Sequence, residues 1–426
     1  MMTRLFKIFS ISLVLLIVSF GGGSESTLGG KVAASPDEVI LYFTIGMHIE
    51  PFGAVPSALV GRDLPPPRPD RYDYHNRRFF RSHVADIKTL AEIVEKHGGR
   101  LTVQVQSPFT QVAAEDGETL LADLEARGHE IGLHFHENAH LGPNPEQLPV
   151  ETWCAVMKEE IGFIHQAGVV NHIRYWSGGN LYPGLLDAAS CAGLDVNSDW
   201  KNRKTQQTDP LVIGINPWRP AAGPSENDLT GFARHDPQGK VIFLPEGLYN
   251  RSDFGSRGRS QKFGGEEAYF DFIKESLERS LKAAQPDRIN VFHFTVHPGE
   301  FRGDPNPPFA VIDRFLTDVV DPLVAAGKVR WATFSQMADA FIEWEKTHPG
   351  VNPRSTATTK DGDKRDKKGG GKRHKKDGSK KDNLAPSSAE PEVEWTKTFG
   401  TPDAPELFKK VRQTSDGGYI LVGGAT

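Results

Sequence analysis

From Glu38 to Trp344 the chain alternates short apolar runs with amphipathic stretches of helical period, and this alternation restricts the fold more than any other feature. Val39–Thr44 is a continuous apolar run, the pattern of a strand covered on both faces. A helix is expected from Ser82, with Val84, Ile87, Leu90, Ala91 and Val94 on one side and Gly98-Gly99 closing it. Further strands are expected at Leu101–Val105, in the run before His134, at Asn171–Tyr175, Leu194–Asn197, Val241–Leu244, Ile289–Val296 and Val329–Ala332. Helices fall at Thr119–Arg127, Glu151–Gln166, Leu181–Ala192, Glu266–Ala284, Phe309–Ala326 and Phe334–Glu345. Strand and helix in turn favour parallel strands with right-handed crossovers. A barrel and an open doubly wound sheet fit this period equally.

The apolar fraction of 38% is low because both ends dilute it. Arg4 and Lys7 precede an apolar run from Ile8 to Phe20, followed by Gly21-Gly22-Gly23-Ser24. Residues 1–25 therefore read as a secretory signal peptide, or alternatively as an uncleaved anchor, and the chain is expected to be secreted or held in the cell envelope. A domain is expected over 36–348. The segment 353–392 reads as a disordered linker. Its stretch Arg354–Asp382 holds twelve Lys or Arg and five Asp, a formal +7, which leaves −12 on the rest of a chain whose total is −5. An acidic globular part argues against a nucleic-acid partner. The basic run is a solvated spacer, or it associates with an anionic cell surface. Residues 393–426 read as strand, turn, strand, at Trp395–Gly400 and within Gln413–Thr426, and resemble one unit of a secreted propeller-like repeat. The sequence is expected to be a fragment or a truncated chain, stopping where a second unit would begin; the alternative is a short strand pair that packs on the main domain. Two cysteines, Cys154 and Cys191, fall in expected helices and are either bonded or free.

Four histidines fall within Gly128-His-Glu-Ile-Gly-Leu-His-Phe-His-Glu-Asn-Ala-His140. On a strand His134 and His136 leave one face, and on a helical turn His136 and His140 share a side. Either pair suits a divalent metal of the zinc type. In Thr44-Ile-Gly-Met-His48-Ile-Glu50, His48 and Glu50 are also two apart.

The segment 128–134 resembles the second motif of the NodB-type polysaccharide deacetylases, carbohydrate esterase family 4. Ile173-Arg-Tyr-Trp-Ser-Gly-Gly179 is similar to that family's arginine motif, His297-Pro-Gly-Glu-Phe301 to its late histidine motif, and Thr333–Asp339 to the helix start near its end. The resemblance spans about Glu38–Trp344 and implies a distorted (β/α) barrel holding one divalent ion, zinc by its ligand types. It implies hydrolysis of an N-acetyl or O-acetyl group on a polysaccharide or cell-wall glycan. It implies metal ligands among His48, His134, His136 and His140, with His-x-His forms favouring His134 with His136. Glu50 is ligand or base, Arg174 orients a carboxylate or substrate, and His297 is the general acid, with Glu300 beside it. Asp199, Trp176 and Trp218 are candidates to contact sugar. The chain departs from the pattern twice: no Asp pair stands at 44–50, and Asn138 replaces the usual second histidine. Two rival readings are a glycoside hydrolase of the same fold and a catalytically silent sugar-binding domain.

Overall fold

The computed structural model describes residues 39–61, 72–180, 182–202, 208–225, 227–249, 264–303 and 305–354, together with backbone strands at 407–413 and 419–424. The chain divides into two compact units, 1–358 and 359–426. The expected signal peptide, nearly all of the basic linker and the expected strand Trp395–Gly400 lie outside the described residues. In the second unit, Leu407–Gln413 and Tyr419–Gly424 pair antiparallel, with a register shift between Val422 and Gly423. One hairpin is not a repeat array, so the expected propeller unit finds no support in it. No helix among the described residues is long and apolar enough to cross a membrane.

Among the described residues the first unit is built on eight strands: β1 Leu41–His48, β2 Thr102–Val105, β3 Glu130–Phe135, β4 Tyr175–Gly178, β5 Val196–Ser198, β6 Ile242–Leu244, β7 Asn290–Val296 and β8 Val329–Trp331. Every pair is parallel, in the order β6-β5-β4-β3-β2-β1-β7. β1 is shared: Leu41–Phe43 pair with β8, and Gly46–His48 pair with β2. The seam between β6 and β7 is spanned by an irregular segment, in which Ile215 accepts from Val291 N at 2.7 Å and Trp218 exchanges two backbone bonds with Phe243. His293 N also reaches the carbonyl of Glu246 at 3.2 Å. The sheet therefore nearly closes on itself, which resolves the choice left by periodicity in favour of a distorted (β/α) barrel.

Alternation along β1 sends Leu41, Phe43, Ile45 and Met47 into the core shared with the helices. Thr44, Gly46 and His48 take the inner face. The interior is narrow. A Cβ at Gly46 would lie 2.6 Å from Gln104 Nε2, and one at Gly132 would lie 2.6 Å from the Tyr175 ring. Tyr175 in turn stacks on Phe334 at 4.3 Å. The helix Phe334–Thr347 begins with a Thr333–Gln336 capping box and closes over β5 and β6.

The helices near the site are α1 Arg77–Lys96, α2 Phe109–Asp116, α3 Leu120–Ala126, α4 Glu137–His140, α5 Val150–Gln166 and α6 Leu185–Ala192. α1 begins before the expected Ser82, because Asn76 Oδ1 accepts from Arg78 N and Phe79 N and so caps it. Ser82 sits inside, bonded to the Phe79 carbonyl at 2.7 Å. The helical run expected over Phe309–Ala326 widens to a π turn at Leu316–Val320, ahead of Pro322, which has no N–H to continue the ladder. α5 and α6 are neighbours, and Cys154 and Cys191 form a disulfide between them.

Candidate metal centre

The chemistry-bearing residues gather at the C-terminal ends of the parallel strands, where loops of a barrel build its open face. β1 delivers His48 and Glu50, β3 delivers His134 and His136, and β4 delivers Ser177, in register with His134. Asp199 and Lys201 follow β5, Glu246 follows β6, and His297 follows β7.

His48 and His134 stack with ring centres 4.0 Å apart. Ser177 Oγ holds His134 Nδ1 at 2.6 Å, which leaves Nε2 free to face His136 Nε2 at 3.0 Å. His136 Nε2 is also 3.0 Å from Glu50 Oε2. One ligand atom from each of Glu50, His134 and His136 lies within 4.8 Å of the others. Two imidazole nitrogens and a carboxylate oxygen converging in this way fit a borderline-soft divalent cation. His48 Nε2 is buried beside them and has no hydrogen-bond partner among the described residues. The donor set therefore suits the ion that the resemblance implies.

His297 stands across Glu50, its Nε2 3.2 Å from Glu50 Oε1. Glu300 accepts the His297 backbone N–H at 2.6 Å and lies 3.7 Å from its Nδ1. Burial opposes charge on this ring, but Glu300 and Glu50 outweigh it and raise its pKa to about 10. Burial, and then the His297 cation, push His48 well below its ordinary value. His134 is lowered by burial and by His48. Burial pushes Glu50 up, yet His136 prevails and holds it well below the carboxylate range. His136, its side chain 42% exposed, is raised by Glu50 against the effect of burial.

A second charged layer stands beside the first. Asp199 has a left-handed backbone, φ 65°. Its Oδ2 is 3.5 Å from His48 Nδ1, and its Oδ1 is 2.6 Å from Lys201 Nζ. Lys201 also meets Glu246 Oε1 at 2.7 Å, and Tyr249 donates to the same carboxylate.

The structure thus brings together Glu50, His48, His134, His136, His297 and Asp199. It does not bring in four other expected residues. His140 is buried and engaged on both ring nitrogens, with Gln106 Oε1 at 2.7 Å and Glu160 Oε1 at 3.1 Å. Arg174 lies at the wrong end of its strand. β4 starts at Tyr175 rather than ending there, so Arg174 sits at its N-terminal end, bidentate to Asp195 and paired with Asp339. Trp176 points outward from β4 into the helix-side core and is fully buried. Trp218 is also fully buried, packed on Phe232 and Phe243, and its Nε1 donates to the Phe232 carbonyl. Neither ring offers a face to sugar. The residues that sequence reasoning missed are Ser177, Lys201, Glu246 and Gln106. Each lies within three positions of a strand's C-terminal end, and that placement was the available signal.

No family model matches the chain, and no curated protein matches it. Among solved structures it is similar to a protein described as a glycoside hydrolase/deacetylase from Parabacteroides distasonis, at 14% identity over 74% of each chain, with a TM-score of 0.46. It is similar to Puue allantoinase, at 14% identity over 75% of this chain and 94% of that one, with a TM-score of 0.45. It is also similar to a protein described as a polysaccharide deacetylase from Mycobacterium smegmatis, at 14% identity over 76% of this chain and 95% of that one, with a TM-score of 0.44. Likenesses at these scores decide neither family nor activity, and the barrel rests on the strand order and register given above.

Proposed function

We propose that the protein is a metal-dependent hydrolase that removes acetyl groups from an extracellular or cell-wall polysaccharide. The observation that carries this reading is the convergence of Glu50, His134 and His136, with His297 poised over the same carboxylate. The reading of residues 1–25 as an export signal supports the location, and the motif resemblance supports the acetylated sugar. Glu50, His134 and His136 would hold the ion. A bound zinc-type ion supplies Lewis acidity toward a carbonyl oxygen and makes hydroxide available near neutral pH.

The remaining steps belong to side chains. His297 carries a proton at Nε2 and gives it to the departing amine or alkoxide, with Glu300 fixing its ring. The proton of the attacking water goes to Glu50 Oε1 or His48 Nε2, the two acceptors at the cluster. Asp199 fixes His48 from behind. His48→Gln decides between them: zinc retained with a kcat lowered 100-fold or more assigns the base to His48, and an unchanged kcat leaves it with Glu50. A glycosidase would need two carboxyls free to act across a bond, Glu50 with Asp199 or with Glu300. Asp199 is committed to Lys201, and Glu300 accepts the His297 backbone N–H.

The test is release of acetate from acetylated xylan, chitin oligomers and peptidoglycan by zinc-loaded protein, with His134→Ala as control. Acetate release that His134→Ala abolishes is the expected result. New reducing ends without acetate would replace the reading with a glycosidase, and no zinc uptake at all would end it.

A further inference from the structure

We infer that Gln106, His140 and Glu160 form a positioning relay that sets the spacing of the ion-binding groups, an inference that rests on reading Glu50, His134 and His136 as metal ligands. Gln106 follows β2, the strand that lies between β1 and β3, and it is completely buried. Its Nε2 donates to the Ile49 carbonyl at 2.9 Å, one residue before Glu50. Its Oε1 accepts the backbone N–H of His136 at 3.2 Å and His140 Nε2 at 2.7 Å. A single amide thus bonds the two chain segments that supply the three ligand atoms. Ile49 and His136 each lie one residue past the end of β1 and β3; Ile49 N–H still reaches the Gln104 carbonyl at 2.9 Å, and the Gln106 side chain adds the tie across to His136.

The amide is itself held. His140 Nδ1 lies 3.1 Å from Glu160 Oε1 on α5. Glu160 also accepts Ser107 N and Ser107 Oγ, each at 2.7 Å, and so grips the chain directly after Gln106. Gln106, His140 and Glu160 are each at most 2% exposed. Polar groups buried this deeply cost stability unless every one is partnered, and partnered networks rigidify what they touch. Here they touch the backbone of one ligand and the residue preceding another. His140, expected from the sequence as a ligand, acts one layer behind the ligands.

Loss of such outer hydrogen bonds lowers metal affinity 10- to 100-fold in ligand-orienting networks. The test uses the full chain stripped of metal, titrated with zinc alone and with cobalt alone, as wild type, Gln106→Met, Glu160→Gln and His134→Ala. The expected result is that Gln106→Met and Glu160→Gln each bind zinc 10- to 100-fold more weakly and shift the visible cobalt band, while His134→Ala loses the ion. Wild-type affinity and an unchanged cobalt band in both relay variants, with His134→Ala still losing the ion, would overturn the relay and leave the metal site standing. No metal uptake by the wild type would remove the site reading, and the relay with it. Should Gln106→Met fail to fold, Glu160→Gln, which keeps shape and removes only the charge, decides by the same two readouts.

Discussion

At His297 one ring nitrogen meets Glu50 and the other side meets Glu300, an arrangement that holds a proton where a leaving group would need it. His297→Ala is expected to lower acetate release by 10²- to 10⁴-fold, the usual contribution of a positioned acid, while zinc content by elemental analysis stays at the wild-type level. Lost zinc would place His297 among the ligands instead. His134 and His136 were readable because strand geometry alone puts positions two apart on one face. Arg174 was not. Its place depends on where β4 begins, and Tyr175 and Trp176 separate Arg174 from Ser177 toward the other end. His140 looked like a ligand by spacing, but it turns into α4, where Gln106 and Glu160 occupy both its nitrogens.

The strand–helix succession was legible element by element, since apolar runs and amphipathic periods mark it directly. α2 was not. It is short, starts after Pro108 without a capping side chain, and buries only Phe109, Thr110, Val112 and Ala113. The pairing of Cys154 with Cys191 also stayed open in the sequence, because it turns on whether two helices are neighbours. They are, and the bond spans a separation of 37 residues. Closing a loop of that length restricts the unfolded chain by about 4 kcal/mol. Replacing both cysteines with serine should lower the unfolding free energy in urea by that order, with m raised because the untethered unfolded chain exposes more surface. A loss below about 1 kcal/mol would mean that the unfolded chain gains little freedom when the tether goes.

At the scale of the molecule, period could not tell a barrel from an open sheet. What decides it is the seam, closed by Ile215, by Trp218 and by His293 reaching Glu246, contacts between positions far apart in sequence. Two buried histidines are held as neutral rings, His293 on β7 and His83 on α1 among Phe52, Tyr74 and Phe79. Burial, and secondarily Arg302, lowers His83 to about 3. Burial lowers His293 to about 4. In the unfolded chain both take up a proton near pH 6.5. Their contribution to stability is therefore complete above pH 6.5 and is lost as pH falls toward 4 and below. Each adds a slope of about 1.4 kcal/mol per pH unit in that window. Denaturant unfolding of His293→Gln between pH 7 and 4 should give a flatter dependence than the wild type. Equal slopes would show that this ring does not remain neutral.

Glu50 stands at the end of one strand and His134 and His136 at the end of another, with β2 between them. No unfolded chain keeps those three groups together, so whatever they jointly grasp clings to the native form alone. Zinc at 100 times its dissociation constant should then add about 2.7 kcal/mol against unfolding, visible as a melting temperature that climbs with the free ion and falls back under chelator. The cation becomes a clasp on the fold, and scarcity of metal would thin the population of intact protein.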